Sequence, residues 1–318
     1  MWIDEYVKLM YPKNMEDVQM KEAIRLKYNN IPNSLYKYRA FSKFSIENLE
    51  NDEAWFNTAA EFNDPYDCAL TLENTAIDHM TTKLKTNIFG LIRDLNLNLT
   101  KEEVAKIDSM GFVEASKYFL SFDKNLKEEE IEARVKATAQ NIQNESKKNL
   151  QKMNEVLQMK IKICCFSEIN DSILMWSHYA NNHKGFCIEY DFKKEGVDPK
   201  LTRWLQPVIY RDKLFNAGQY FEGERKRVSE LNPFIVNYNA IIKSTEWSYE
   251  KEWRITYTTN DREGFNKKLF SPQAIYLGAK MCDIEKERII EIAKQRQIIV
   301  FQMNMKNSEF KLVPERVL

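Results

Sequence analysis

Residues 164–192 contain two apolar runs that bracket a polar and aromatic stretch. This pattern predicts a strand, a short helix and a second strand in succession. The first run ends near Ser167, and the stretch that follows carries Trp176, His178 and Tyr179. A strand end that brings a hydroxyl, an imidazole and two large rings together is typical of a binding or catalytic site. We therefore expect the functional centre of the chain here.

Strand patterns lie on both sides of a long helical stretch. Residues 73–160 carry helical periodicity almost throughout, and their charged second half, 127–159, predicts a solvated helical hairpin. We therefore expect an α+β fold over residues 1–318, a single domain whose mixed β core of about six to eight short strands carries a large helical insertion at 73–160. A homo-oligomer, if one forms, is expected to use this insertion. Strands are predicted at 35–39, 53–57, 161–167, 185–191, 205–210, 253–258, 273–278 and 298–303.

Composition excludes several classes of protein. The 318 residues include 47 Lys and Arg and 47 Asp and Glu, so the net charge is zero, which argues against a general binder of nucleic acids or membrane surfaces. No signal peptide and no apolar run of membrane-spanning length is visible, so we expect a cytoplasmic protein with no membrane partner. The five cysteines are odd in number and lack CxxC spacing, which predicts free thiols and no metal site.

An arginine at the end of the first predicted strand is the candidate phosphate ligand. The planar guanidinium of Arg39 matches the oxygens of a phosphate group, as in a small-molecule nucleotide. The alternative is that Arg39 pairs with Asp64 or Asp67 in the following turn. The candidate cofactor-binding residues of this part of the chain are Tyr36, Tyr38, Arg39, Asn63 and Asp64.

The aromatic segment offers groups for stacking and proton transfer. Trp176 and Tyr179 can stack on a planar ring, and His178 can act as an acid or base near neutral pH. The alternative is that Met175, Trp176 and Tyr179 form one buried helix face.

Two carboxylates two residues apart form the third candidate. If the chain is extended there, Glu250 and Glu252 point to one face and Trp253 to the other. Carboxylates on one face repel each other, so each needs a partner or a function. Such a pair can orient a ribose hydroxyl and stabilise an oxocarbenium cation. The alternative is a solvated strand edge that Lys251 and Arg254 balance.

The order of these motifs resembles the uncharacterised bacterial family DUF2971, over about residues 33 to 280. The family has no known activity, but its members are often met near mobile elements and phage-defence genes, which implies a setting in antiphage defence. The motifs are Leu-Tyr-Lys-Tyr-Arg (35–39), Phe-Asn-Asp-Pro-Tyr-Asp (62–67), Cys-Phe-Ser-Glu (165–168), Met-Trp-Ser-His-Tyr-Ala (175–180), His-Lys-Gly-Phe-Cys-Ile-Glu-Tyr (183–190) and Tyr-Glu-Lys-Glu-Trp-Arg (249–254).

The chain also resembles the ADP-ribosyltransferase fold, because an Arg, a Ser and a Glu-x-Glu occur in that family's order. This resemblance implies NAD as substrate, nicotinamide as leaving group and an acceptor whose identity the sequence does not give. It implies that Arg39 holds the diphosphate, Ser167 braces the ribose or nicotinamide side, Glu252 orients the ribose and stabilises the cation, and Glu250 activates the acceptor. Tyr179 or Trp176 would stack on the nicotinamide. The catalytic candidates are Glu252, Glu250, Ser167 and His178.

Three functions therefore compete. An NAD-dependent ADP-ribosyltransferase or NAD glycohydrolase, for example a defence toxin, should place Arg39, Ser167 and Glu252 around one cleft. A non-catalytic sensing module would have the pocket, but Glu252 would be held in an ion pair with Arg254 or Lys251. A metal-dependent hydrolase or nuclease should cluster at least three carboxylates or imidazoles, such as those of Asp64, Glu189 and Glu250.

Overall fold

The computed structural model describes residues 2–71, 100–123, 125–220 and 232–318. The chain forms two compact units. The larger unit comprises Met1–Ala69, Val156–Phe215 and Arg227–Leu318, and the smaller comprises Leu70–Glu155 and Asn216–Lys226. The described helices are α1 (Trp2–Met10), α2 (Met20–Asn30), α3 (Lys43–Glu50), α4 (Lys101–Ser109), α5 (Phe112–Leu120), α6 (Glu128–Lys160), α7 (Ile173–Tyr179), α8 (Pro199–Trp204), α9 (Ile235–Asn239) and α10 (Asp283–Arg296).

Short strands make up the rest of the regular structure. The fold is α+β, as predicted, and its main sheet is mixed because β12 and β13 are parallel while the other described pairs in it are antiparallel. The strands are β1 (Leu35–Arg39), β2 (Glu53–Thr58), β3 (Leu70–Thr71), β4 (Ile161–Ser167), β5 (Phe186–Tyr190), β6 (Leu205–Pro207), β7 (Ile209–Arg211), β8 (Phe215–Asn216), β9 (Ile242–Ser244), β10 (Glu252–Thr258), β11 (Phe265–Lys268), β12 (Ala274–Leu277), β13 (Ile299–Met305) and β14 (Leu312–Arg316).

The main sheet of the larger unit has the order β11-β2-β4-β1-β5-β12-β13-β14, with β10 beside β4 and β6 beside β10. Within the described residues this sheet has ten strands, so the prediction of six to eight was too low. The prediction missed β11, whose four residues carry two lysines and little apolar character. It also joined β6 and β7, which pair with different strands, β10 and β9.

Local signals explain where several elements begin. Ser42 caps α3, and its hydroxyl and that of Ser45 form a reciprocal capping box. Thr100 and Glu103 form a second capping box, at the start of α4 in the smaller unit. The strand–helix–strand segment predicted around residues 164–192 is present as β4, α7 and β5.

The predicted hairpin at 127–159 is wrong, because α6 is one continuous helix of 33 residues. No Gly or Pro interrupts this stretch, so nothing in it supplies the backbone of a reversal. Its sparse apolar positions indicated solvent exposure but did not indicate a turn.

Apolar side chains cover one face of the main sheet. Leu35, Phe56, Phe166, Trp253 and Ile275 belong to this core, and each is at most 2% exposed. No helix in the described residues combines the length and the apolar composition needed to cross a membrane.

Candidate functional site

The central strand β4 has a gap on one of its edges. Its partner β10 pairs with all seven residues of β4 and so occupies the other edge. On the gapped edge, β2 pairs only with Lys162 and Ile163, and β1 pairs only with Ser167. Residues 164–166 therefore have no strand partner on this edge within the described chain. The sheet is split here between β1 and β2.

A pocket of about 490 Å³ lies at this split. Because the sheet is interrupted, residues from both of its faces reach the same space. The residues that line it come from β1, β2 and the turn after it, β4, α7, β9 and the start of β10. They include Tyr36, Lys37, Tyr38, Arg39, Trp55, Asn57, Glu61, Phe62, Asn63, Cys165, His178, Tyr179, Lys243, Glu250 and Glu252.

Two cations of β1 form one side of the pocket. Lys37 donates to the backbone oxygen of Cys165 at 3.2 Å, which satisfies part of the unpaired edge of β4. Arg39 lies with its guanidinium 5.9 Å from the centre of the Phe44 ring. Among the described residues, neither Lys37 nor Arg39 has an ion-pair partner. Burial lowers the pKa of Arg39, because water is excluded from its charge.

An ammonium shared by two carboxylates forms the opposite side. Nζ of Lys243 lies 2.5 Å from Oε2 of Glu250 and 3.1 Å from Oε2 of Glu252. The side chains of all three residues are at most 4% exposed. Burial alone would lower the pKa of Lys243, but the charges of Glu252 and Glu250 raise it well above its ordinary value.

A buried arginine sits behind this group. Arg254 is fully buried and donates to both carboxylate oxygens of Asp67, at 2.6 and 2.7 Å, and to both of Glu252, at 2.7 and 3.0 Å. It also donates to the backbone oxygen of Ala240 at 2.8 Å. We call Asp67, Lys243, Glu250, Glu252 and Arg254 the buried charge cluster.

The two glutamates of the cluster differ in pKa. Burial raises the pKa of Glu250, and the charge of Glu252 raises it further, while Lys243 opposes both. Burial would also raise the pKa of Glu252, but the charges of Arg254 and Lys243 outweigh it and hold the pKa well below its ordinary range. The surroundings therefore favour the charged form of Glu252 and disfavour the charged form of Glu250.

The chain is not extended from Glu250 to Glu252, so the condition under which both would point to one face of a strand is not met. Glu250 ends a 3₁₀ helix, and Lys251 has a φ of 44°, in the left-handed region, before Glu252 begins β10. The chain bends at Lys251, yet both carboxylates still meet because Lys243 lies between them. The alternative of a solvated strand edge is also wrong, since Glu250 and Glu252 are 2% and 5% exposed.

Ser167 holds this bend in place from the end of β4. It is fully buried, donates to the backbone oxygen of Glu250 at 2.6 Å and accepts from the backbone N–H of Ile169. Its hydroxyl is therefore engaged by the backbone, and Ser167 does not line the pocket. Nearby, Nε1 of Trp253 donates to Glu168 at 2.8 Å and ties β10 to the same corner.

The aromatic residues divide into two groups. Tyr179 lines the pocket and donates to Oε1 of Glu250 at 2.6 Å, and His178 lines it from an exposed position. Trp176 is fully buried, donates to the backbone oxygen of Asn170 and meets the Tyr38 ring edge-on at 5.3 Å. The alternative of a buried helix face thus describes Trp176 but not Tyr179.

The turn after β2 contributes one of its two predicted residues. Asn63 lines the pocket together with Tyr179. Asp64 is buried outside the lining, where it accepts from the backbone N–H of Tyr66 at 2.9 Å. Neither Asp64 nor Asp67 pairs with Arg39, because Asp67 is the partner of Arg254.

The pocket brings together most of the residues singled out in the sequence, although their roles remain predictions. Lys37, Lys243, Asp67 and Arg254 were not among the predicted site residues. Lys243 follows Ile241 and Ile242 directly. A lysine beside apolar residues in a short strand can be buried, and a buried lysine needs an acidic partner. The predicted residues that line the pocket are Tyr36, Tyr38, Arg39, Asn63, His178, Tyr179, Glu250 and Glu252, while Asp64, Ser167 and Trp176 do not.

A metal-dependent hydrolase or nuclease, the third candidate function, requires a cluster of metal ligands. In the part of the chain that the structure describes, no group of three or more His, Cys, Asp or Glu side chains could hold a metal ion. Glu189, one of the carboxylates considered for that role, instead accepts from the hydroxyls of Ser34 and Tyr276.

Comparison with known proteins bears on the later half of this site. Residues 175–255 match the family model described as a protein of unknown function, DUF2971. That segment contains α7, β5, β9 and both glutamates, so the resemblance predicted from the motifs is confirmed there. No curated protein and no solved structure matches the chain. Over residues 175–255, which carry Tyr179 and four of the five residues of the buried charge cluster, the chain is similar to a family whose activity is unknown.

Proposed function

We propose that this chain binds NAD in the pocket at the split of the sheet and cleaves the bond between its nicotinamide and ribose. ADP-ribose then passes to water or to an acceptor. The observation that carries the proposal is Arg39. Its half-buried guanidinium has no acidic partner among the described residues, and it lines the same pocket as Glu250, whose pKa is raised by burial.

The cationic side of the pocket suits a diphosphate. A buried charge without a partner is costly, and a ligand phosphate that accepts from Arg39 would offset this cost. Lys37 adds a second positive charge on the same strand. The volume of about 490 Å³ is in the usual range for sites of nucleotide-sized ligands.

The opposite side suits the ribose. The bond from C1′ to the nicotinamide nitrogen breaks, its electron pair leaves on that nitrogen, and positive charge develops on the ribose. Water or an acceptor hydroxyl then bonds to C1′ and gives up its proton. We assign the acceptance of this proton to Glu250, because a raised pKa suits a group that exchanges protons near neutral pH.

This assignment keeps for Glu250 the role that the resemblance implies, but it departs from the role implied for Glu252. Glu252 already shares its charge with Arg254 and Lys243, so it has little left to offer a developing cation. Glu250 is bound by the ammonium of Lys243 and the hydroxyl of Tyr179, and no arginine pairs with it in the described chain. Its carboxylate is therefore less committed to ion pairs than that of Glu252 and better suited to proton transfer. We infer that Glu252 fixes Lys243 and Arg254, and that Glu250 does the chemistry.

The test is release of nicotinamide from NAD by purified protein. Glu250→Gln should lower turnover by at least about a hundredfold, the usual contribution of a positioned acid or base. Glu246→Gln is the matched control, because Glu246 is an exposed carboxylate of the same 3₁₀ helix. Arg39→Met should raise KM more than it lowers kcat. Absence of both turnover and an NAD-dependent rise in Tm would refute the proposal.

A non-catalytic sensing module is the second candidate, and one observation favours it. Glu252 is held in ion pairs with Arg254 and Lys243, which is the arrangement expected of a sensor. A sensor would show a rise in Tm with NAD, lost in Arg39→Met, but no nicotinamide release from wild-type protein under any acceptor tested.

The setting in antiphage defence, with activity in the cytoplasm as a toxin effector, also belongs to this proposal. Its support is the family resemblance alone. If it holds, expression of the wild-type chain should deplete cellular NAD and arrest growth, whereas Glu250→Gln at equal protein level should do neither. The acceptor would then be sought by labelling cell extracts with NAD that carries a tag on adenine.

A further inference from the structure

We propose a second binding site, for a small molecule that carries a phosphate monoester, in a pocket of about 260 Å³ between α2 and the segment from β5 to α8. It shares no lining residue with the pocket at the split of the sheet. The proposal therefore does not depend on NAD cleavage. Its basic residues are Lys27, Lys193, Lys194 and Arg203.

Lys27 is the unusual residue of this pocket. It is 1% exposed, and its ammonium donates to the backbone oxygens of Thr202 and Arg203, at 3.1 and 2.6 Å. Lysines are almost never this deeply buried without an acidic partner. Within the described chain, no ion pair joins Lys27 to a carboxylate. Burial, and then the charge of Arg203, lowers the pKa of Lys27 to about 7.

The surroundings increase this excess of positive charge. Arg203 is close enough to repel Lys27, and Lys193 and Lys194 line the same cavity. In the described part of the chain, the residues lining the pocket include no acid, and none of these four cations is in an ion pair. Like charges gathered around one cavity are unfavourable unless an anion occupies it.

The remaining walls determine which anion fits. They are largely apolar, so an inorganic ion alone would leave them uncovered, whereas a phosphate attached to a ring would cover them. A phosphate has three terminal oxygens and a charge near −2, which suits several separate donors better than a carboxylate does. These walls are Ile24, Tyr28, Phe192, Val197 and Pro199.

Calorimetric titration of the intact chain tests the site with phenyl phosphate, inorganic phosphate and adenosine monophosphate, at constant ionic strength. Phenyl phosphate should bind at one site and at least about tenfold more tightly than inorganic phosphate, because its ring covers apolar surface. Adenosine monophosphate tests whether the ring of a nucleotide also fits. Affinity for phenyl phosphate below that for inorganic phosphate, or no saturable binding of either, overturns the proposal.

Variants separate a built site from general attraction of anions. Lys27→Met and Arg203→Met should each weaken phenyl phosphate binding by at least about tenfold, as loss of a charged hydrogen bond does. Lys200→Met is the control, because Lys200 is exposed on the same helix as Arg203 but does not line the pocket. Arg203 is itself exposed, so its variant should fold even if Lys27→Met does not. An equal loss in Lys200→Met, or no loss in Arg203→Met, refutes the site.

Discussion

Glu250→Gln and Glu252→Gln are chemically identical changes two residues apart, and we expect unequal consequences for stability. In Glu252→Gln, the carboxylate that accepts from Arg254 at 2.7 and 3.0 Å and from Lys243 at 3.1 Å becomes neutral. Removal of one partner from a buried ion pair typically costs about 3 to 5 kcal/mol. Arg254 keeps Asp67, and Lys243 keeps Glu250, so we expect a loss of about 3 kcal/mol in the free energy of unfolding.

Glu250→Gln should change the free energy of unfolding by no more than about 1 kcal/mol. The raised pKa of Glu250 means that its surroundings disfavour the charged form, so the neutral amide removes a cost. Lys243 retains Glu252 as its partner. An amide oxygen can still accept from the Tyr179 hydroxyl.

The pH dependence supplies an independent check on the same pair. Because the folded pKa of Glu252 is depressed, its contribution is complete above the ordinary glutamate pKa and is lost as the pH falls toward the folded value. Wild type and Glu252→Gln should therefore differ most at neutral pH and converge in acid. Urea unfolding followed by tryptophan fluorescence at several pH values measures this. Equal losses in the two variants at neutral pH would refute the assignment of structural and chemical roles.

Three further predictions concern single groups. The lowered folded pKa of Lys27 lets the unfolded chain bind more protons between about pH 7 and 10.5, so the free energy of unfolding of the wild-type chain should rise over this range by at most about 4 to 5 kcal/mol. Lys27→Met should remove this rise, which urea unfolding at both pH values measures. Gly185→Ala should lower Tm markedly, since a Cβ would overlap a backbone oxygen at the end of β1, whereas Gly111→Ala, with no atom within 4 Å, should not. Tyr179→Phe removes a hydrogen-bond donor that favours the charged form of Glu250, so the pKa of Glu250 should rise. The acid limb of the pH–rate profile for NAD cleavage should then move to higher pH, and an unmoved limb would contradict the role of Glu250.

The parts of the fold that follow local rules could be predicted from the sequence. The alternation in 35–39 is typical of a strand with Lys37 and Arg39 on one face and the tyrosines on the other, and Ser42 is a typical N-cap residue for α3. Whether α6 is one helix or a hairpin of two helices could not be predicted, because its charged residues indicate exposure to solvent and do not indicate a turn.

Neighbouring residues in the sequence do not reveal which charged groups of the site pair with each other. The sequence suggested Arg254 or Lys251 as the balance for the two glutamates. Arg254 pairs with Glu252, whereas Lys251 is exposed and has a left-handed backbone that lysine rarely adopts. The shared partner is Lys243, which a separate short strand carries to the pocket. Which cation meets which carboxylate depends on the pairing of β10 with β4, and that is set by the whole sheet.

The charge balance of the buried cluster leads to a prediction about the ligand. Lys243 and Arg254 provide two positive charges against the carboxylates of Asp67, Glu250 and Glu252, so one carboxylate is in excess. Burial and the charge of Glu252 raise the pKa of Glu250, so this is the carboxylate where uptake of a proton would neutralise the excess. A ligand with a positive charge beside Glu250 could take the place of that proton.

Oxidised NAD carries such a charge on its nicotinamide ring, and NADH does not. If the nicotinamide end lies against Glu250, oxidised NAD should bind at least about tenfold more tightly than NADH, the effect of roughly one charge interaction at a partly screened site. Binding of oxidised NAD should also release a proton wherever Glu250 is protonated in the free protein. Calorimetry in two buffers of different ionisation enthalpy measures both quantities, and Glu250→Gln should abolish the preference and the proton release together. Equal affinities for the two forms in wild-type protein would place the nicotinamide away from Glu250, and would leave the phosphate contacts of Arg39 as the main determinant of binding.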